Sequence, residues 1–112
     1  MRQIHNLEVT ERAQAIFRRQ QELHRADPPL SIALHYMPTF VNADGSAVEG
    51  FAPGYTIDFV AQPPEGAEWL RAKLPDGTEF RFMPKFVWRA DETYLVDQAS
   101  DYTLSLGPPV RR

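Results

Sequence analysis

The chain has 112 residues, a formal net charge of −3 and 43% apolar residues, values typical of one small folded domain. It contains no cysteine, which excludes disulfides, thiolate nucleophiles and cysteine-ligated metal centres. We predict a single domain over residues 1–112, with flexible tails at residues 1–9 and 107–112. The N-terminus lacks the apolar core of a signal peptide, and no apolar run approaches the ~20 residues that span a bilayer. We therefore expect a cytoplasmic protein with no membrane partner.

The first predicted element is a helix over about Thr10–Ala26. Thr10 suits the N-cap, Glu11 suits the first turn, and the apolar residues that follow recur at helical spacing. The run Asp27-Pro28-Pro29 should end the helix, because the residue before a proline avoids helical backbone geometry.

Two strands and a long loop are predicted next. Ser31–Met37 is apolar on both faces, which is typical of a central strand, and Pro38 ends it. Residues 42–54 are rich in small and turn-forming residues and predict a loop. Tyr55–Ala61 alternates between apolar and polar residues, which predicts a strand with one buried face.

The strongest local pattern predicts a β-hairpin around Pro75-Asp76-Gly77. Apolar and charged residues alternate on both sides of this turn, so one face of the hairpin should be buried. The turn pairs Leu70 with Phe82 on the inner face and Lys73 with Glu79 on the outer face. It also places Arg71 opposite Arg81, a like-charge pair that should attract an anionic group of a partner.

A second hairpin is predicted with its loop at Ala90-Asp91-Glu92, which would pair Trp88 with Tyr94. A last strand is predicted over Tyr102–Leu106. The predicted fold is therefore α+β: an N-terminal helix packed on a mostly antiparallel sheet of about five to six strands. A cystatin-like roll is the first choice of architecture, and a small β-barrel with a helical lid is the second.

The sequence carries no motif for catalysis, phosphate binding or metal binding. Its histidines, His5, His24 and His35, lack partners at metal-ligand spacing, and neither a nucleophile motif nor a glycine-rich phosphate loop occurs. We predict no metal site and no cofactor, we assign no catalytic residue, and we lean against an enzyme.

The leading functional hypothesis is a non-catalytic protein-binding domain from a bacterium or phage, such as an inhibitor, an immunity-type or phage-borne regulatory protein, or an adaptor. It rests on the small size, the absence of catalytic clusters, the long loop and the surplus of aromatic residues. The partner is another protein, with homodimerisation as a further outcome. The predicted partner-binding residues are Arg71, Lys73, Arg81, Lys85, Arg89, Asp44, Glu49 and Phe51.

Two alternatives belong to other functional classes. A ligand-binding or enzymatic roll would use His35 as a base, oriented by Asp58 and close to Tyr55. Binding of single-stranded nucleic acid would use Arg71, Arg81, Lys85 and Trp88. Nucleic acid is disfavoured as a partner, because acidic segments flank the basic one in the sequence.

Overall fold

The structure is a computed structural model that describes residues 1–38 and 40–107, and it is an α+β fold. One helix packs on one curled sheet of eight strands in the described part of the chain. In chain order the elements are β1 (Arg2–Gln3), β2 (Leu7–Val9), α1 (Glu11–Leu23), β3 (Ser31–Met37), β4 (Gly54–Val60), β5 (Leu70–Lys73), β6 (Glu79–Phe82), β7 (Tyr94–Gln98) and β8 (Leu104–Leu106).

Helix α1 begins where the sequence predicts and ends three residues earlier, at Leu23 rather than Ala26. The Thr10 hydroxyl accepts a hydrogen bond from the backbone N–H of Ala13, as an N-cap does. Ala13, Ile16 and Phe17 are buried, and the Phe17 ring lies 5.2 Å from that of Phe80 on β6. The helix therefore covers the face of the sheet that carries Phe80, which we call the inner face.

The predicted hairpin is confirmed as β5 and β6, with the predicted register. Leu70 lies opposite Phe82, Arg71 opposite Arg81, and Lys73 opposite Glu79. Gly77 has a φ of +92°, a conformation that L side chains rarely adopt, so the turn requires glycine at this position.

The number and direction of the strands differ from the prediction of five to six mostly antiparallel strands. The sheet has eight, in the order β1-β5-β6-β3-β4-β8-β7-β2, and it is mixed, because the pairs β1–β5, β2–β7 and β3–β6 are parallel. The antiparallel roll was therefore wrong in strand direction. These parallel pairs join segments far apart in the sequence, and local alternation carries no information about such pairing.

The N-terminal segment supplies both edge strands of the sheet. Residues 1–9 were predicted as a flexible tail, whereas Arg2–Gln3 pairs with β5 and Leu7–Val9 pairs with β7. Residues 3 and 7 can be at most about 14 Å apart along the chain, so the two edges of the sheet approach each other. The curl agrees in part with a half-barrel, in which the edges approach without pairing. Of the predicted C-terminal tail, residues 108–112 lie outside the described residues.

The predicted second hairpin is wrong, because residues 83–93 contain no strand. Trp88 and Tyr94 do meet, with ring centres 3.9 Å apart, but they meet inside the curled sheet and not across a ladder. The indole Nε1–H of Trp88 donates to the Asn6 side-chain oxygen (3.0 Å). The Asn6 amide nitrogen donates to the carbonyls of Arg89 (2.7 Å) and Glu92 (2.8 Å). Asn6 thus fastens this irregular segment to the N-terminal strands.

Candidate functional site

The outer side of the hairpin carries Arg71, Lys73, Glu79 and Arg81, and we call this surface the hairpin face. Glu79 lies within 3.9 Å of the Arg71 Nε and 4.0 Å of an Arg81 guanidinium nitrogen. The facing arginines therefore share one carboxylate at the limit of ion-pair distance, and that carboxylate offsets only part of their positive charge.

Both arginines also donate hydrogen bonds to other parts of the chain. The Arg71 Nε donates to the Gln3 side-chain oxygen (2.6 Å), and an Arg81 guanidinium nitrogen donates to the Pro64 carbonyl (2.8 Å). Since Pro64 lies on the connection between β4 and β5, that connection covers part of the outer face. The side chain of Arg81 is only 13% exposed. Lys73 is exposed and has no ion pair among the described residues, so the hairpin face keeps a net positive charge although hydrogen bonds within the chain hold both arginines.

Lys85 and Arg89 lie outside the hairpin face, although the sequence analysis grouped them with it. They belong to the irregular segment that leaves the sheet after β6. The Lys85 Nζ lies 3.9 Å from the centre of the Tyr36 ring, which is a cation–π contact. Trp88 is 8% exposed, so its ring has no free face for stacking a nucleic-acid base.

The loop of residues 42–54 is held by internal contacts. Asp44 accepts hydrogen bonds from the Ser46 hydroxyl (2.6 Å) and backbone N–H (2.9 Å), and these bonds lower the pKa of Asp44 below 3.8. Phe51 packs between Phe40 and Tyr102, with ring centres 4.4 and 4.8 Å away. Glu49 is exposed. Phe51 therefore anchors the loop on the turn before β8.

Of the predicted pocket residues, His35 and Tyr55 line one cavity of about 520 Å³, and Asp58 does not line it. The Nε2 of His35 lies 3.4 Å from a carboxylate oxygen of Asp58, and both side chains are about half exposed on the outer face. Tyr55 lies on the inner face, opposite Tyr36. Burial, then the neighbouring Tyr36, raises the pKa of Tyr55 to about 12, so its hydroxyl stays protonated and donates to the Met83 carbonyl (2.9 Å). These three residues do not form an acid–base site.

A groove opens where β3 and β6 separate. The parallel pairing of these strands covers only Ile32–Leu34 and ends at Phe82, whereas β3 continues to Met37 beside β4. Pro84 has no backbone N–H and cannot extend the ladder. Two adjoining cavities, of about 520 and 170 Å³, share Tyr36, Tyr55 and Lys85, and together we call them the Tyr36 groove. The larger one is further lined by Leu34, His35, Pro38, Trp69, Met83 and Pro84.

The rim of the Tyr36 groove is apolar and exposed. Tyr36, which lines both cavities, is 38% exposed, and Met83, which lines the larger one, is 43% exposed. Lys85 and His35 are the only ionisable side chains, apart from the tyrosines, among the described residues that line its two cavities. The sequence singles out Lys85, His35 and Tyr55, but their meeting in one groove was not predicted, because an alternating strand does not reveal where its neighbour ends. Pro84, directly after the hairpin, was the available signal.

Another cavity lies outside the Tyr36 groove and is lined by Arg18, Glu22, His24 and Arg25 among others. This cavity of about 400 Å³ lies at the C-terminal end of α1, where His24 stacks on Phe59 with ring centres 4.9 Å apart. Residues 1–38 and 40–107 contain no cluster of three histidine or acidic side chains that could hold a metal ion. Within the same residues, no helix has the length and apolar character needed to cross a membrane.

Comparison with known proteins adds no family. No protein-family model matches the chain, and no curated protein or solved structure matches it either.

Proposed function

We propose that this protein is a non-catalytic protein-binding domain whose partner docks in the Tyr36 groove. The observation that carries the proposal is the opening between β3 and β6, where exposed Tyr36 and Met83 line one cavity with Lys85, whose ammonium group lies over the Tyr36 ring. Exposed apolar side chains that are contiguous and surround a cleft are typical of a protein interface.

The side chains at this opening suit a protein surface. Methionine is flexible and polarizable, so Met83 can adapt to the shape of a partner. Tyrosine offers a large rigid contact area at low conformational cost, and a lysine at the rim can select an acidic group. The binding surface proposed here keeps Lys85 from the sequence-based set and leaves out the hairpin face, whose arginines already contact Glu79, Gln3 and Pro64.

Catalysis is the weaker proposal because the acid–base candidates lie on different faces of the sheet. His35 and Asp58 are exposed on the outer face, and the Tyr55 hydroxyl is held as a donor to a backbone carbonyl. None of the three pairs with an activated nucleophile among the residues that the structure describes.

The experiment is affinity capture with matched charge reversals. Wild-type protein, Lys85→Glu and the control Lys73→Glu are immobilised and exposed to lysate of the cells that carry the gene. We expect a stoichiometric partner that wild type and Lys73→Glu retain and Lys85→Glu loses. A partner lost with Lys73→Glu and retained with Lys85→Glu would move the site to the hairpin face. No stoichiometric partner for wild type would contradict the proposal.

A further inference from the structure

We propose that the partner binds as an added β-strand along the open edge of β3, with an acidic side chain at Lys85. This inference rests on the proposed function, since it names how the Tyr36 groove holds its partner. The occupant is an extended segment of a second protein that contains at least one aspartate or glutamate.

The first support is the unpaired stretch of β3. Strand β4 pairs with all of Ser31–Met37, whereas β6 pairs with Ile32–Leu34 only. Successive residues of a strand direct their backbone N–H and C=O groups to opposite neighbours. Because β6 ends at Phe82, either Tyr36 or Met37 directs its backbone groups towards the groove instead of towards β4. The open edge covers residues 35–37, which is about 10 Å of strand.

The second support is the path of the chain after β6, which turns away from the open edge of β3. The Tyr55 hydroxyl holds the Met83 carbonyl at 2.9 Å, and Lys85 reaches the Tyr36 ring. Both tyrosines lie on the inner face of the sheet, so the segment turns towards that face, and no described strand pairs with residues 35–37 on the side away from β4. Proteins usually cover or block an open strand edge, because it is a template for pairing with another chain. Here the edge borders a cavity of about 520 Å³.

The third support is charge. The described side chains that line the two cavities include Lys85 and His35 and no carboxylate. No acidic group among the described residues lies within ion-pair distance of Lys85, whose ammonium contacts only an aromatic face. An incoming carboxylate would gain a charge-assisted contact without displacing an existing ion pair. Backbone hydrogen bonds from β3 would supply affinity, and the contact with Lys85 would supply selectivity.

The experiment uses random 12-residue peptides displayed on phage and selected on the full-length protein. We expect the enriched peptides to share an aspartate or glutamate and to bind Lys85→Glu about tenfold or more weakly than wild type. The control Lys73→Glu should bind within about twofold of wild type. Replacing the peptide's acidic residue with lysine should restore binding to Lys85→Glu, which a merely structural role of Lys85 would not explain.

A second measurement tests the strand itself. Backbone N-methylation is introduced at each position of an enriched peptide in turn. An added strand predicts that methylation at alternate positions weakens binding by about tenfold or more, because alternate N–H groups face β3. If Lys85→Glu weakens binding but methylation is tolerated at every position, the added strand is wrong and the proposed function stands. If no peptide is enriched, or the peptides ignore Lys85→Glu, the added strand is wrong, and the affinity capture with Lys85→Glu and Lys73→Glu decides the proposed function separately. Dimerisation of the free protein that Lys85→Glu abolishes would make a second copy the occupant and overturn a separate partner.

Discussion

The hairpin face and the Tyr36 groove both carry cations, but the hairpin face places a carboxylate beside two of its three cations, whereas no carboxylate lines the described groove. On the hairpin face Glu79 lies beside both Arg71 and Arg81, and further hydrogen bonds go to Gln3 and Pro64. In the groove, Lys85 contacts the ring of Tyr36. A run of basic residues in the sequence therefore does not mark a binding surface by itself. The surface proposed to bind a partner is the one where a lysine without a neighbouring carboxylate lies beside an open strand edge.

The two surfaces also differ in how they are built. The hairpin is held by its own ladder and a tight turn, and these local features fix its shape. The groove depends on the irregular segment of residues 83–93, which Asn6 fastens from the other end of the chain. The predictions below, from the largest expected effect to the smallest, test this difference.

Replacing Asn6 should have the largest effect on stability. Asn6→Ala removes three hydrogen bonds and leaves the Trp88 indole N–H without its partner, which should cost about 2–3 kcal/mol of unfolding free energy. The control Asn42→Ala removes two exposed hydrogen bonds and should cost under about 0.5 kcal/mol. Urea unfolding followed by tryptophan fluorescence measures both. If Asn6→Ala lowered the unfolding free energy no more than Asn42→Ala does, the side chain of Asn6 would not be what fastens residues 83–93.

Asp97 gives a reference for a charge with several partners, against which Lys85 can be compared. It accepts hydrogen bonds from the Thr10 hydroxyl, the backbone N–H of Gln98 and the Arg12 guanidinium. The bond from Thr10 contributes most to lowering the pKa of Asp97 below 3.8, with smaller contributions from Gln98 and Arg12. Because the pKa is lower in the folded state, this stabilisation is present above the unfolded value and is lost as the pH falls through the folded value.

Asp97→Asn should therefore cost about 1–2 kcal/mol at pH 7, and the difference from wild type should shrink as the pH falls below about 4. The control is Asp91→Asn, an exposed carboxylate in the loop before β7, which should change stability by under about 0.5 kcal/mol. Unfolding curves at several pH values measure both. A loss that is the same at every pH would show that the Asp97 charge is not responsible.

Tyr55→Phe tests the support beneath the groove. The change removes the hydrogen bond to the Met83 carbonyl and should cost about 1 kcal/mol. It should also weaken peptide binding, because the bond holds the chain away from the open edge of β3. The control Tyr102→Phe alters a 46% exposed ring outside the groove and should change neither quantity measurably. Thermal unfolding and a peptide titration are the measurements. If Tyr55→Phe bound the peptide as tightly as wild type, the hydroxyl of Tyr55 would not be needed to hold the chain away from the open edge of β3.

Glu79→Gln should have the smallest effect on stability and would sharpen the comparison most. The ion pairs are partly exposed, so the loss should stay under about 1 kcal/mol. Without the carboxylate, the surface around Arg71 and Arg81 would become more positive and would attract anionic groups more strongly. We expect later elution from heparin than for the control Glu49→Gln, which makes the same charge change on the exposed loop. If Glu79→Gln and Glu49→Gln eluted together, Glu79 would not reduce the attraction of heparin to Arg71 and Arg81.

The sequence predicts the parts of this fold that local patterns determine. The bounds of β3 and the register of the hairpin follow from alternation and from Pro75-Asp76-Gly77, and both are confirmed. The parallel pair β3–β6 and the N-terminal strands could not be predicted, because they depend on contacts between distant segments. Trp88 and Tyr94 show the same limit, since their contact was predicted correctly but assigned to a ladder that does not exist.

The candidate site could be predicted only in part, and for a related reason. Lys85 is visible in the sequence as a cation, but its separation from Arg71 and Arg81 depends on where β6 ends. His35 and Asp58 were predicted to lie close together, and they do, yet the strand register places Tyr55 on the opposite face. The Tyr36 groove exists because no described strand pairs with residues 35–37 on the side away from β4. The sequence of β3 itself carries no pattern that shows where pairing with a neighbouring strand ends.

The most direct test of the central claim is to map the bound surface by nuclear magnetic resonance. An enriched acidic peptide is titrated into ¹⁵N-labelled protein while the backbone amide shifts are recorded. The account predicts that the largest changes fall at residues 34–38 and 83–86, with little change at residues 71–81. The largest changes at residues 71–81, with residues 34–38 unaffected, would contradict it and return the binding surface to the hairpin face.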